Sequence, residues 1–329
     1  MSKKFFVISL LALSIWPASL YSSSYLFFLE VQGIAGYSSA AKKAVFFSMS
    51  QMEAMQKPSL GFDYIHRFSG ETGDFAVLAV QARLAVNAEG DKTFEPQLYN
   101  AYLKFKTRAA DIWVGHNRPK FGPASYFDNH AQLLQPLSMN GFGFDRDWGL
   151  GLERDYAWGN AGISLTSGSG MKLHFKGNYL LSGRISKGIL SQDNYNFGFS
   201  VGYGKILDVM GYHLISEKPM RFAMAGADLV WLWNNIENRV EVMAGDKAGN
   251  GAFALFWRVG AGLLEESRLK IEVQPVAYRA GGKTQIQFSA GVTYLASADW
   301  TLRGMYLYDK ETKDSRIVFQ IYYYKGIRF

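Results

Sequence analysis

Apolar and polar side chains alternate along almost the whole of this chain, from near residue 25 to its last residue. In "YLFFLEVQGIAGY" (25–37), Phe27, Leu29, Val31, Ala35 and Tyr37 share one side, and Glu30 and Gln32 the other. In "TQIQFSAGVTYLA" (284–296), Ile286, Phe288, Ala290, Val292 and Tyr294 stand opposite Gln285, Gln287, Ser289, Gly291 and Thr293. A period of two places successive side chains on opposite faces of a strand, so the chain is all-β. About fourteen to sixteen such segments can be counted, sixteen fitting best. Many of them reach the roughly 9–11 residues that a tilted strand needs to cross a bilayer, whereas strands of soluble proteins average about 5–6.

Composition agrees with strands. The 329 residues include 19 Tyr, 24 Phe, 8 Trp and 34 Gly but only 8 Pro, and rings fit a pleated surface. Cysteine is absent, which excludes a disulfide scaffold, a thiolate metal site and a lipidated N-terminal cysteine.

The N-terminal "MSKKFFVISLLALSIWPASLYSSS" has a basic start at Lys3 and Lys4, an apolar run from Phe5 to Trp16 and small residues after it. That is the pattern of an export signal, too short for a membrane-spanning helix. Residues 1–24 are therefore expected to be removed and 25–329 to form the mature domain, with Ser22 and Ser24 as candidate cleavage-site residues. Loss of Lys3 and Lys4 leaves 33 basic against 28 acidic residues. This mild excess gives no reason to invoke nucleic acid.

Exported strands of this length have two solutions. A soluble sandwich turns its apolar face inward, and a membrane barrel turns it outward. Tyr37, Trp113, Trp231, Trp233, Trp300, Tyr308, Tyr323 and Phe329 place rings near strand ends, as in the interfacial girdles of a barrel. The opposite face is rich in Gln, Thr, Ser, Gly, Arg and Lys, which suits a wet lumen. Backbone groups at an open edge would go unpaired in lipid, so the sheet must close on itself. The expected fold is a transmembrane antiparallel β-barrel in the bacterial outer membrane, with short turns alternating with longer polar loops. Only 42–57 is ambiguous, a strand or a short helix.

The stretches "LGFDYIHRFSGETGDFAVLAVQARLAV" (60–86) and "EPQLYNAYLKFKTRAADIWVGHNRPKFGP" (95–123) resemble the Gram-negative porin group that includes phosphate-selective porins. The resemblance implies sixteen strands, a homotrimer and a pore narrowed by an infolded loop. Residues 118–145 form the longest stretch without alternation, and loops of this length are usually functional. The terminal strand also resembles the assembly signal read by the barrel-assembly machinery. Phe329, Ile327, Tyr323 and Ile321 fit that pattern, and Lys325 departs from it.

The function expected is a diffusion channel for small hydrophilic solutes, in contact with outer-membrane lipid and lipopolysaccharide. Arg118 and Lys120 begin the long loop, and Arg83, Lys104, Lys106, Arg258, Lys270 and Arg303 are assigned to the lumen by alternation. Against them stand Glu30, Asp228, Glu241 and Glu272. A basic excess there gives a weak anion preference, unless pairing between neighbouring strands cancels it. No dense arginine ladder or lysine cluster of the kind phosphate specificity needs is present.

Other functions have less to stand on. "GFSVG" (198–202) matches a nucleophile-elbow pattern at Ser200, but it lies inside an alternating strand rather than a strand–turn–helix. The five histidines are scattered, without metal-ligand spacing. No catalytic residue, cofactor or metal is expected. A barrel lipid hydrolase and a structural or adhesive barrel stay open as alternatives.

Overall fold

The computed structural model describes residues 22–45, 57–71, 73–86, 94–128 and 130–327. Residues 1–21 of the expected signal segment, most of 42–57 and Phe329 lie outside the described residues.

The chain is one antiparallel sheet closed on itself. Its strands are β1 (Ser22–Ser38), β2 (Lys43–Val45), β3 (Ser59–Gly70), β4 (Gly73–Val86), β5 (Phe94–Lys106), β6 (Asp111–Asn117), β7 (Asp147–Tyr156), β8 (Gly159–Thr166), β9 (Tyr179–Lys187), β10 (Tyr195–Met210), β11 (His213–Trp233), β12 (Ile236–Lys247), β13 (Asn250–Leu263), β14 (Leu269–Ala280), β15 (Lys283–Leu295), β16 (Trp300–Asp309) and β17 (Asp314–Ile327). β2 is a three-residue stub. It shares one edge of β1 with β3, pairing with Gly36–Ser38 while β3 takes Ser22–Gln32. The other sixteen strands make the wall, as expected. Closure runs along the β1–β17 ladder, from Phe27 opposite Ile327 to Ser38 opposite Arg316. β1 starts at Ser22, ahead of the expected boundary at residue 25.

Alternation explains which way the side chains point. On β17, Ile317, Phe319 and Ile321 are exposed outward, while Val318, Gln320 and Tyr322 are buried inward. β16 carries Trp300 at one end and Tyr308 at the other, both on the outer face. Trp233 is exposed at the same end of the barrel as Trp300, and Tyr37 at the same end as Tyr308, as rings are placed in the two interfacial belts of a lipid-facing surface.

Two ring assignments are corrected. Alternation in "LYNAYLKFK" (98–106) places Tyr99, Ala101, Leu103 and Phe105 outward, but Tyr99 is buried in the lumen at 4% exposure. The cause is a β-bulge. Gln81 faces Asn100 and Ala82 faces Leu98, so Tyr99 is the extra residue and the parity of β5 changes there. Trp113, expected in a girdle, is fully buried inside the barrel against Gly151, where any side chain would collide with the indole. Its neighbours Ile112 and Val114 face out.

The connections also depart from expectation. The near rim is the one where Ser22 and Ile327 lie, and its links are all short. On the far rim the N-terminal half has long links, 118–146 and 167–178 among them. The C-terminal half has only tight ones, such as Gly281–Gly282 between β14 and β15. Both glycines have positive φ, 58° and 79°, as a tight hairpin turn requires. Long far-rim loops are therefore confined to half of the barrel.

The lumen is not uniformly polar either. Inside the far half of β9–β14 lies an apolar cluster that includes Leu180, Ile206, Phe222, Met224, Met243, Ala254, Phe256 and Val276. An inward apolar patch needs a cover, and the long loop supplies it.

Leu255 faces outward near the middle of β13. Leu255→Arg should destabilise the barrel by about 2–4 kcal/mol, the cost of a cation at the bilayer midplane. Guanidinium unfolding of the protein refolded into lipid vesicles measures this, and a negligible change would mean that the face does not meet hydrocarbon.

Candidate functional site

β6 and β7 are hydrogen-bonded neighbours, yet residues 118–146 connect them. The excess chain enters the barrel and crosses the lumen. On one side Phe121, Leu137 and Phe142 complete the apolar cluster of β9–β14, with Phe121 edge-on to Phe222 at 5.9 Å between ring centroids. On the other, Leu133 and Leu134 pack against Ile34, Met305, Leu307 and Val318. Wall side chains then satisfy the loop backbone. The Arg258 guanidinium donates to the Leu134 carbonyl at 2.7 Å, Gln274 to the Gln135 carbonyl at 3.1 Å and Lys247 to the Gly141 carbonyl at 3.1 Å. In return the Lys120 and Gly122 amides donate to the hydroxyls of Ser164 and Ser200, each at 2.9 Å. Gly122 has φ 63° and lies against Glu241, so neither its conformation nor its space admits a side chain.

The loop divides the lumen. Beside β3–β7 and β17 it leaves a cavity of about 530 Å³, lined by Asp63, Gln81, Asn100, Tyr102, Lys104, Arg118, Lys120, Asp128, Glu153, Tyr322 and Tyr324, among others. Against β12–β16 it leaves a recess of about 130 Å³, lined by Arg239, Lys270, Glu272, Thr293 and Arg303, among others.

Arg118, Lys120 and Lys104 meet in the larger cavity. Lys104 and Lys120 share Glu153, with Lys104 at 2.5 Å. Arg118 pairs with Asp128 at 3.0 Å, and Arg146 approaches the same carboxylate at 3.3 Å. Arg83 is buried in the lumen wall, bonded to Gln97 at 2.7 Å and 3.8 Å from Glu30. Lys270 bridges Glu237 and Glu272 in the recess. Lys106 is exposed at the near rim beside Asp74 and lines neither cavity. Of the acidic set, Asp228 holds Arg184 at 2.6 Å, with Glu241 directly across the ladder from it. Pairing between strands therefore cancels most of the lumen charge.

Two guanidinium groups are different. Arg258 has only amide and carbonyl oxygens as hydrogen-bond partners, from Gln274, Gln132 and Leu134. Arg303 donates to Gln320 at 2.8 Å and lies over the Tyr322 ring. Neither has a carboxylate within ion-pair distance among the described residues.

Asp128 is about half open to the lumen at 56% side-chain exposure. Partial burial raises its pKa, but Arg118 and then Arg146 outweigh it and bring it down to about 2. Burial lowers the pKa of the Lys120 ammonium, although Glu153 works against that.

Several lumen groups were not foreseen. His130 reaches Glu30 at 2.8 Å and packs on Tyr99, whose hydroxyl donates to Asp145 at 2.7 Å. Arg146 lies over the same tyrosine ring. Alternation could have found Glu153, which shares parity with Gly149 and Gly151, and Arg239, two residues beyond Glu237. His130 and Arg146 carry no such signal, because they lie on the aperiodic loop. Ser200 faces the lumen in an extended strand and accepts the Gly122 amide. Among the described residues, no three His, Cys, Asp or Glu side chains converge as a metal site.

Neither a family model nor a curated protein sequence matches the chain. Solved structures do. OmpF of Salmonella typhi, in complex with daunomycin, is similar over 92% of this chain and 97% of its own, with a TM-score of 0.66 at 12% identity. The anion-selective porin from Comamonas acidovorans is similar over 92% and 100%, with a TM-score of 0.60 at 12% identity. The trimer form of OmpT, an outer-membrane protein of Vibrio cholerae, is similar over 92% and 100%, with a TM-score of 0.57 at 11% identity. The fold is that of a porin-like outer-membrane barrel.

The Asp128 pairs should hold the loop over a wide pH range. A carboxylate whose folded pKa is depressed contributes fully above its unfolded value, near 3.9, and loses the contribution as pH falls toward about 2. Conductance should therefore change little from pH 7 down to about 4.5 on account of this group and shift only below that. Asp128→Asn should show the low-pH behaviour already at pH 7. Identical pH profiles for the two proteins would mean that Asp128 does not hold the loop.

Proposed function

We propose that the chain is a bacterial outer-membrane porin, a diffusion channel for small hydrophilic solutes with a weak preference for anions. One observation carries this reading. A closed sixteen-strand barrel holds a long loop inside its lumen, and that loop borders a polar cavity of about 530 Å³. Such an arrangement binds and positions water and ions, and its balanced charges hold no solute tightly.

The anion preference rests on Arg258 and Arg303, the two lumen guanidinium groups whose hydrogen-bond partners are neutral. Elsewhere in the lumen acids offset bases, so the selectivity is weak and falls with ionic strength. Arg303 borders the smaller recess and is not used to pin the loop, which makes it the residue to test.

The outward rings and aliphatic side chains meet outer-membrane lipid, and the far-rim loops meet lipopolysaccharide. Ile321, Tyr323 and Ile327 lie in line on one face of the last strand, which supports an assembly signal read by the barrel-assembly machinery. A homotrimer is the assembly proposed, since a trimer form is described for the similar Vibrio cholerae protein. We assign no enzymatic activity: Ser200 accepts the Gly122 amide of the loop, and among the described residues no histidine is hydrogen-bonded to it.

Single-channel recording of the refolded mature chain in a planar bilayer tests the function. Stepwise current with a reversal potential on the anion side is expected, and Arg303→Gln should move that potential toward zero. A folded, heat-modifiable barrel that passes no current overturns the porin reading. An unchanged reversal potential for Arg303→Gln overturns the assigned source of selectivity.

A further inference from the structure

β10 and β11 rise higher than the strands around them, with 16 and 21 residues. Their shared tip does not stand upright. The Tyr212 hydroxyl donates to the Leu98 carbonyl on β5 at 2.8 Å, although β6, β7, β8 and β9 lie between β5 and β10 in the wall. His213 Nε2 lies 3.9 Å from a Glu95 carboxylate oxygen, also on β5. The hairpin therefore leans over the far mouth.

The bend has a visible origin. Ile206 faces Met220, Asp208 faces Ser216 and Val209 faces Leu214, so the ladder skips twice within a few residues. Glu217, Lys218 and Pro219 lie in the larger skip, and proline has no amide to donate to the ladder. Bulges of this kind turn a strand away from its sheet.

Beneath the tip the mouth is filled. Tyr212 packs with Tyr99, Met139 and Met171, and Leu207 is buried at 1% exposure. Tyr99 also packs at a tilt on His130 of the infolded loop, 4.3 Å between centroids, so tip and loop meet on one ring. Inward polar groups near the far rim, Gln32 and Gln97, are each buried at 2% exposure. In an open tube they would be wet.

We propose that the β10–β11 hairpin, residues 206–220, is a lid that closes the far mouth of the channel, hinged at the two skips and latched on the bulge of β5. It opens by swinging off Leu98 and Glu95, which uncovers Tyr99 and ends the tip's contact with the ring that the loop also meets. The proposal rests on the porin reading, and its test separates the two.

The chain has no cysteine, so a defined tether can be introduced. Glu95→Cys with His213→Cys, bridged by a short cleavable bis-thiol reagent, holds the lid down. Bilayer recordings of the bridged protein should show current events at least about tenfold rarer than before bridging, with full recovery after cleavage. Treating either single-cysteine variant with the same reagent should leave its event frequency where it stood before treatment, whatever loss of the latch contact has already done to it. Tyr212→Phe, without any tether, should raise the open-to-closed ratio roughly fivefold, as loss of one hydrogen bond implies. Equal current from the bridged and cleaved protein overturns the lid and leaves the porin reading standing. Silence from wild type, the bridged and the cleaved protein alike overturns the porin reading and the lid with it.

Discussion

Hydrocarbon offers no partner to a peptide group, and everything else in this protein follows from that. Every spanning strand must find two neighbours, so β1 has to meet β17, and the ladder from Phe27–Ile327 to Ser38–Arg316 completes the ring. Closure sets side-chain direction for the whole wall, because a strand with fixed register cannot choose its faces. The exposed face then takes Val, Leu, Ile and aromatic rings, and whatever is polar turns inward. A soluble β protein hides its apolar face, whereas here the polar face is the enclosed one.

Enclosing a polar face creates its own difficulty. A charge on the inner wall loses water wherever the loop covers it, and it must then be paired or hydrogen-bonded. The lumen answers with shared carboxylates. Glu153 serves two lysines, Asp128 two arginines, and Glu30 both His130 and Arg83. Apolar contacts do the opposite work in the far half of the lumen, where Leu137 and Phe142 sit in the β9–β14 wall as they would in a soluble core. The loop is thus held by packing at one level and by charge at another. These respond to different perturbations: salt and acid act on the second and leave the first.

Much of the wall was legible from the sequence. Alternation alone places Glu30, Gln81, Arg83, Arg258 and Gln274 in the lumen and Leu255, Ile286 and Phe319 outside, because the period of two is a property of the backbone and needs no tertiary information. It failed at Tyr99, where one inserted residue changes the parity, and no local signal marks the insertion. For Trp113 the failure was of another kind. Its neighbours Ile112 and Val114 already pointed outward, but a bulky ring near a strand end looked like a girdle residue. The infolded loop could be recognised by its length, yet its contacts could not. Arg146 meets Asp128, and His130 meets Glu30 a hundred residues earlier in the chain, and no periodicity encodes such pairs. The wall is local physics repeated, while the site is non-local and specific to the fold.

The two-residue turns of the C-terminal half of the far rim have a consequence beyond the pore. Turns at Ala248–Gly249 and Gly281–Gly282 add almost nothing to the height of the strands they join. On that half the wall ends at its last strand pairs, with little chain to project past them. The side of the molecule that phages, antibodies and proteases could grip is therefore narrowed to one arc, between β1 and the tip of β11. Variation driven by such attackers has room to accumulate in that arc, whereas a change in the low arc meets strand pairing at once.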